Sequence, residues 1–186
     1  MAMADPESGG EAVSAALLPA WLRGLRRLLD LISQVLLAIA IVVLVLIFVL
    51  MNTEIVTRYL FGASTLIADE YTGYGFAIVI LSGLMYAHRS GALLRVDFGV
   101  NLLGSGWRTG ALVLASLASL ALASFSAYAG YRAWALSWLF NSSSSFTSAT
   151  PLWIPQIAMP IGFVLLAVSF AEEAVSRLYG VDRRSA

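Results

Sequence analysis

The sequence predicts an all-α membrane protein with four transmembrane helices and both termini cytoplasmic, preceded by a short interfacial amphipathic helix. Three observations lead there. Hydrophobic residues make up 60% of the 186-residue chain and mean hydropathy is +0.85, against roughly 45–50% apolar content in a soluble domain, so the excess faces lipid. Four segments are long enough to cross a hydrocarbon core, which takes about 20 apolar residues each, and they leave no room for a separate soluble domain. The third observation is that arginine, which supplies all 11 basic charges, collects on alternate connections.

The same composition excludes several functions. With 11 basic and 11 acidic residues the formal net charge is zero, so there is no field to hold nucleic acid. The absence of cysteine removes disulfides, thiolate metal sites, iron–sulfur ligation and cysteine nucleophiles. A single histidine, His88, cannot supply a haem held by two imidazoles or a zinc site with paired imidazoles. No cofactor is expected.

Residues 1–14 carry Pro6, Gly9, Gly10 and three acids, a composition that buries nothing and is expected to be disordered. Residues 15–179 form one four-helix membrane domain, and 180–186 a cytoplasmic tail. At the start of the domain Leu17, Leu18, Trp21, Leu22, Leu25, Leu28 and Leu29 make one helical stripe opposite Arg23, Arg26, Arg27 and Asp30. This is an amphipathic helix lying in the headgroup layer, or else a lead-in whose arginines set orientation. The first span, 31–53, follows. Leu31 to Met51 holds no charge and sixteen residues of Leu, Ile, Val or Phe, which favour insertion by roughly 5–10 kcal/mol. Lacking a good cleavage site, it stays as an anchor. Glu54 and Arg58 stand four apart and pair as the helix leaves the bilayer, and Gly62 stops it.

The second span, 68–87, is poorer in strong apolar residues and includes Gly73, Gly75, Ser82 and Gly83, so it needs helix neighbours. In the third, 109–131, Ala111, Ala115, Ser119, Ala123 and Ala127 recur every four residues, a stripe on which a second backbone can approach closely. A pore lined by its serines is the weaker reading, because they spread round the helix. The helix continues through Arg132, Trp134 and Trp138, the tryptophans marking an interface. Asn141 to Thr150 reads as a flexible, exposed Ser/Thr loop. The fourth span, 151–171, opens on Pro151 and is kinked by Pro160 and Gly162; Glu172, Glu173 and Arg177 begin a polar tail. Nine arginines (23, 26, 27, 89, 95, 108, 177, 183 and 184) lie on one side against Arg58 and Arg132 on the other, which puts both termini in the cytoplasm.

No span has an ionisable residue near its centre, so no catalytic or ion-conducting site is expected within the bilayer. Asp69 and Glu70, with Arg58 across a short loop, are the best candidates for handling a proton or cation. The competing and preferred reading is structural, with Glu70 and Arg58 paired across two helix ends or capping them. His88 is read as an interfacial side chain in preference to a proton relay.

Several segments in order carry a resemblance. Asn52 followed by Arg58-Tyr59-Leu60-Phe61, the pair Asp69-Glu70, Arg95-Val96-Asp97, Pro151-Leu152-Trp153-Ile154-Pro155 and Met159-Pro160-Ile161-Gly162 together resemble the small permease subunit, DctQ-like, of tripartite ATP-independent periplasmic (TRAP) transporters. The resemblance covers about residues 31–178. It departs at Leu93, where the family often has a histidine, so no role of that histidine carries over. The resemblance implies a bacterial inner-membrane complex. In it a periplasmic solute-binding protein delivers an organic acid or similar solute to a large multi-spanning permease subunit driven by an ion gradient. The small subunit is then a non-catalytic scaffold whose structural or partner-contact residues include Arg58, Asp69, Glu70, Arg95, Asp97, Ala115, Ser119, Ala123, Pro155 and Pro160. The alternative is the membrane anchor of a quinone-reactive redox enzyme, disfavoured by the missing haem ligands; a self-sufficient exporter or channel would need an acid within a span.

Overall fold

The computed structural model describes residues 19–92 and 105–179, with side chains from 110 onward in the second segment. The expected disordered stretch 1–14, the tail 180–186, and Arg95 and Asp97 lie outside the described residues. What is described is helical throughout apart from short connections: α1 (Ala20–Phe61), α2 (Ala68–Arg89), α3 (Ser105–Leu139), the single turn α4 (Trp153–Gln156) and α5 (Ala158–Leu178). Among the described residues, three stretches are long and apolar enough to cross a membrane: Ala20–Phe61, Gly110–Leu139 and Trp153–Leu178. The chain is an integral membrane protein.

α1 is one unbroken helix of 42 residues, about 63 Å at 1.5 Å per residue, twice the hydrocarbon thickness. It ends where expected, at Gly62 with φ 62°, a left-handed position that suits glycine. The amphipathic lead-in is described from Ala20, and there it is the first turns of this helix, not a separate element on the membrane surface. Part of its stripe has a protein partner: Leu22, 1% exposed, packs against Leu25 and Val175, and Leu29 joins the main core, whereas Trp21 and Leu28 of the same predicted stripe are exposed. Beyond it, the apolar run of α1 is nearly bare, with only 6% of its most apolar window buried.

Neighbouring helices pack as two antiparallel pairs, α1 with α2 and α3 with α5, joined because α5 also lies against α2 and, at one end, α1. One core unites all four, built from Leu29, Met85, Ala123, Leu166 and Ala167, with Leu36, Leu84, Leu120 and Phe163 around it. α2 has the least apolar sequence of the four and occupies an inner position with protein on two sides, which replaces the lipid contact its composition cannot support.

The α3–α5 seam departs from the predicted four-residue stripe. Ser116, Ala123, Ala127 and Ser137 are buried, as is Gly130, and Leu120 and Trp134 are half-buried between them. These positions alternate in steps of four and three, the seven-residue repeat that keeps a seam facing its partner. A strict step of four drifts round the helix. Accordingly Ala115 is exposed, Ser119 half-buried and Ala123 fully in the seam. At Gly130 an added Cβ would stand 3.3 Å from Met159 Cβ and from the Pro160 nitrogen, so the missing side chain sets how closely α3 approaches α5.

The fourth apolar stretch is interrupted at Ile157, one turn before Pro160. Pro160 has no N–H for the Gln156 carbonyl and its ring crowds that group, so the helix restarts with Pro160 in its first turn. Gly162 is not a kink here; it lets α5 approach Leu81 of α2, whose Cβ would stand 3.0 Å from an added Cβ. α5 continues to Leu178, so Glu172, Glu173 and Arg177 are helical and buried, not a polar tail.

This packing gives a direct test. Gly130→Leu overpacks the seam and is expected to destabilise the chain by about 1–3 kcal/mol, whereas Ala115→Leu, at an exposed position, changes stability by less than about 0.5 kcal/mol. Thermal unfolding of the two variants in detergent measures the difference.

Candidate functional site

The charges of the described chain gather at its two ends. At the end where α1 begins and α2 and α5 finish, Arg89 is the centre. Its side chain is 2% exposed, and that of Glu172 is fully buried. Nε donates to Asp30 Oδ1 at 2.8 Å, one terminal nitrogen to Glu172 Oε2 at 2.7 Å and to Ser169 Oγ at 3.4 Å. The other donates to the Arg26 carbonyl at 2.8 Å and again to Asp30. All five guanidinium N–H groups are thereby used, and α1, α2 and α5 are fastened at one point.

Beside it lies a second group. Arg177 donates to Glu173 Oε1 at 2.6 Å. His88 Nε2 stands 3.6 Å from the other oxygen of Glu173, and its ring is 4.2 Å from that of Phe170. His88 is 2% exposed, so it is a buried packing residue and not the interfacial side chain expected. Ser176 donates to the other Glu172 oxygen, Oε1, at 3.0 Å and so belongs to the Arg89 group.

At the opposite end two carboxylates each hold a loop. Glu54, buried in α1, accepts from Arg58 at 2.9 Å, from the Thr65 amide at 2.9 Å and from the hydroxyls of Ser64 and Thr65. The expected pairing of Glu54 with Arg58 is therefore present, and it takes Arg58 in place of Glu70. Glu70, also buried, accepts from Tyr74 at 2.6 Å and from Ser148. Ser148 and Thr150 bond each other at 2.8 Å, and Tyr71 reaches Thr150 at 3.2 Å. The Ser/Thr loop is thus pinned, closed on itself by the Ser144 amide to the Thr150 carbonyl at 2.9 Å. Its serines serve as donors to a buried acid, which the reading as a flexible loop missed. Asp69 is exposed and lines an open cleft with Met51, Glu54, Ile55, Arg58 and Tyr59.

Of the other residues singled out in the sequence, Pro155 lies in α4 and Pro160 against Gly130. Sequence reasoning passed over Asp30, Arg89 and Glu172. The available signal was that each terminates an apolar run on the arginine-rich side, so topology alone brings them to one level. Chemically, the arrangement is one of ties between elements: an arginine saturated by acceptors, and carboxylates saturated by donors.

Breaking the Arg89 tie leaves a buried carboxylate without its counter-charge. Arg89→Leu is expected to cost about 3–5 kcal/mol, and Arg89→Leu with Glu172→Leu less than the single change. A double-mutant cycle on unfolding in detergent reads this directly.

The family described as tripartite ATP-independent periplasmic transporters, DctQ component, matches residues 47–180, from the middle of α1 through the end of α5. No curated protein matches the chain. With most of its length inside that match, the chain belongs to the DctQ family, the small membrane component of TRAP transporters.

Proposed function

We propose that the chain is a non-catalytic scaffold of an inner-membrane TRAP transporter, holding the large permease subunit in place. An ion gradient drives uptake of an organic acid or similar solute that a periplasmic binding protein delivers. The observation that carries this reading is the use made of the buried charges. Arg89, Arg177, Glu54, Glu70, Glu172 and Glu173 all bond to other parts of the same chain. Arg89 with Glu172 joins two helices, Glu54 and Glu70 hold the connecting loops, and Arg177 pairs with Glu173 along α5; charges spent in this way favour a rigid frame over a moving transport element, and substrate and ion handling then belong to the partner subunit.

In this reading α2 is the fourth span: its 22 residues reach about 33 Å, enough for the hydrocarbon core, and it runs antiparallel beside α1. Because Arg89 binds both Asp30 and Glu172, the start of α1 and the end of α5 share a side. Arginine asymmetry makes that side the cytoplasm. Glu54, Glu70 and the cleft with Asp69 then face the periplasm, where they order the connecting loops.

The test is affinity purification of the C-terminally tagged chain from mild-detergent membranes of its native host. A large multi-spanning permease recovered in equal amount is the expected result. A soluble flavin or iron–sulfur subunit in its place would overturn the reading in favour of a redox-enzyme anchor. Deleting the chain is further expected to abolish solute uptake while leaving solute affinity of the binding protein unchanged.

A further inference from the structure

The first turns of α1 have an outer face that stays exposed among the described residues. Leu22, Leu25 and Leu29 turn inward onto α5 and the core. On the opposite side Arg23 and Arg27, four residues apart, share one flank and are exposed. Trp21 and Leu28, seven apart, share the other flank at 62% and 54% exposure. Between the flanks lies Gly24, where an added Cβ would meet nothing within 4 Å. The result is an open strip with two cations along one edge and apolar side chains along the other.

Nothing described neutralises these cations. The only acid between Ala20 and Glu54 is Asp30, and Arg89 occupies it. Among the described residues neither Arg23 nor Arg27 has an ion pair or a side-chain hydrogen bond. Their depth is set by the apolar run that begins at Leu31. Arg27 and Arg23 precede it by about 6 and 12 Å at 1.5 Å per residue, which puts Arg27 in the headgroup layer, about 5–7 Å deep, and Arg23 just outside it.

We infer that this strip binds the headgroup of an anionic phospholipid. Arg23 and Arg27 hold the phosphate, Gly24 gives it room, and Leu28 and Leu31 take the first part of an acyl chain. Arginine suits the phosphate because its planar fork offers paired donors. The inference rests on membrane insertion alone and is independent of the transport reading.

The experiment places the full-length chain in phosphatidylcholine bilayers with trace spin-labelled phosphatidylglycerol or phosphatidylcholine and measures the motionally restricted fraction of each. The expected result is a preference for phosphatidylglycerol of about fivefold or more, falling to about one in the R23Q/R27Q variant. R26Q removes one charge from a half-buried position nearer the core and is expected to keep the preference. No preference in the unsubstituted chain, or a preference that survives R23Q/R27Q, would overturn the site. Equal losses in R26Q and R23Q/R27Q would reduce it to diffuse surface charge, and displacement by excess inorganic phosphate would overturn its assignment to a lipid. Thermal unfolding of R23Q/R27Q that matches the unsubstituted chain would make a lost preference a loss of the site; a lowered transition would count against an unpartnered surface pair.

Discussion

The fold depends on one buried arginine. Arg89 closes α2 and meets carboxylates of α1 and α5, Asp30 and Glu172, in a setting where its side chain is 2% exposed. Hydrophobic association is weak between helices already surrounded by lipid, so a charge tie at the rim of the bilayer has unusual weight in choosing which helices are neighbours. It fixes the end of α2 level with Asp30 in α1 and Glu172 in α5. Given that level, the apolar seams below are constrained in register: Met85 and Leu29 meet Leu166 in one core, and Gly162 comes to lie against Leu81.

The far end is organised by the same chemistry in smaller units. Glu54 and Glu70 each accept hydrogen bonds from a connection that contains little apolar surface of its own. A serine-rich loop has no core to order it, yet a buried acid with free acceptor positions makes its hydroxyls useful. Connections tied in this way keep the ends of the helices fixed relative to one another, as the proposed scaffold requires.

Much of this was legible in the sequence, and the part that was not has a physical reason. Helix existence followed from apolar runs, the stop at Gly62 from its conformational freedom, and the pairing of Glu54 with Arg58 from their four-residue spacing, all of them local signals. The tie of Arg89 to Glu172 joins residues 83 apart, and nothing near either residue announces the other. The small-residue stripe was read with a period of four, whereas packing along a partner selects alternating steps of four and three, so Ala123 belongs to the seam and Ala115 to the surface. The lead-in pattern divides leucines from arginines, yet only Leu22, Leu25 and Leu29 turn inward while Leu28 stays outside with Arg23 and Arg27, because the protein surface that selects the buried face is α5 extended to Leu178, well past the apolar run.

The proposed rigidity of this chain can be measured directly, because it has no native cysteine. Spin labels on cysteines at Leu60 and Phe140, exposed positions at the ends of α1 and α3, report the distance across the whole width of the fold within the assembled transporter in lipid. A rigid frame gives one narrow distance distribution that stays the same with and without an ion gradient and solute-loaded binding protein. A second distance population appearing under transport conditions would contradict it, because the frame itself would then be part of the moving machinery.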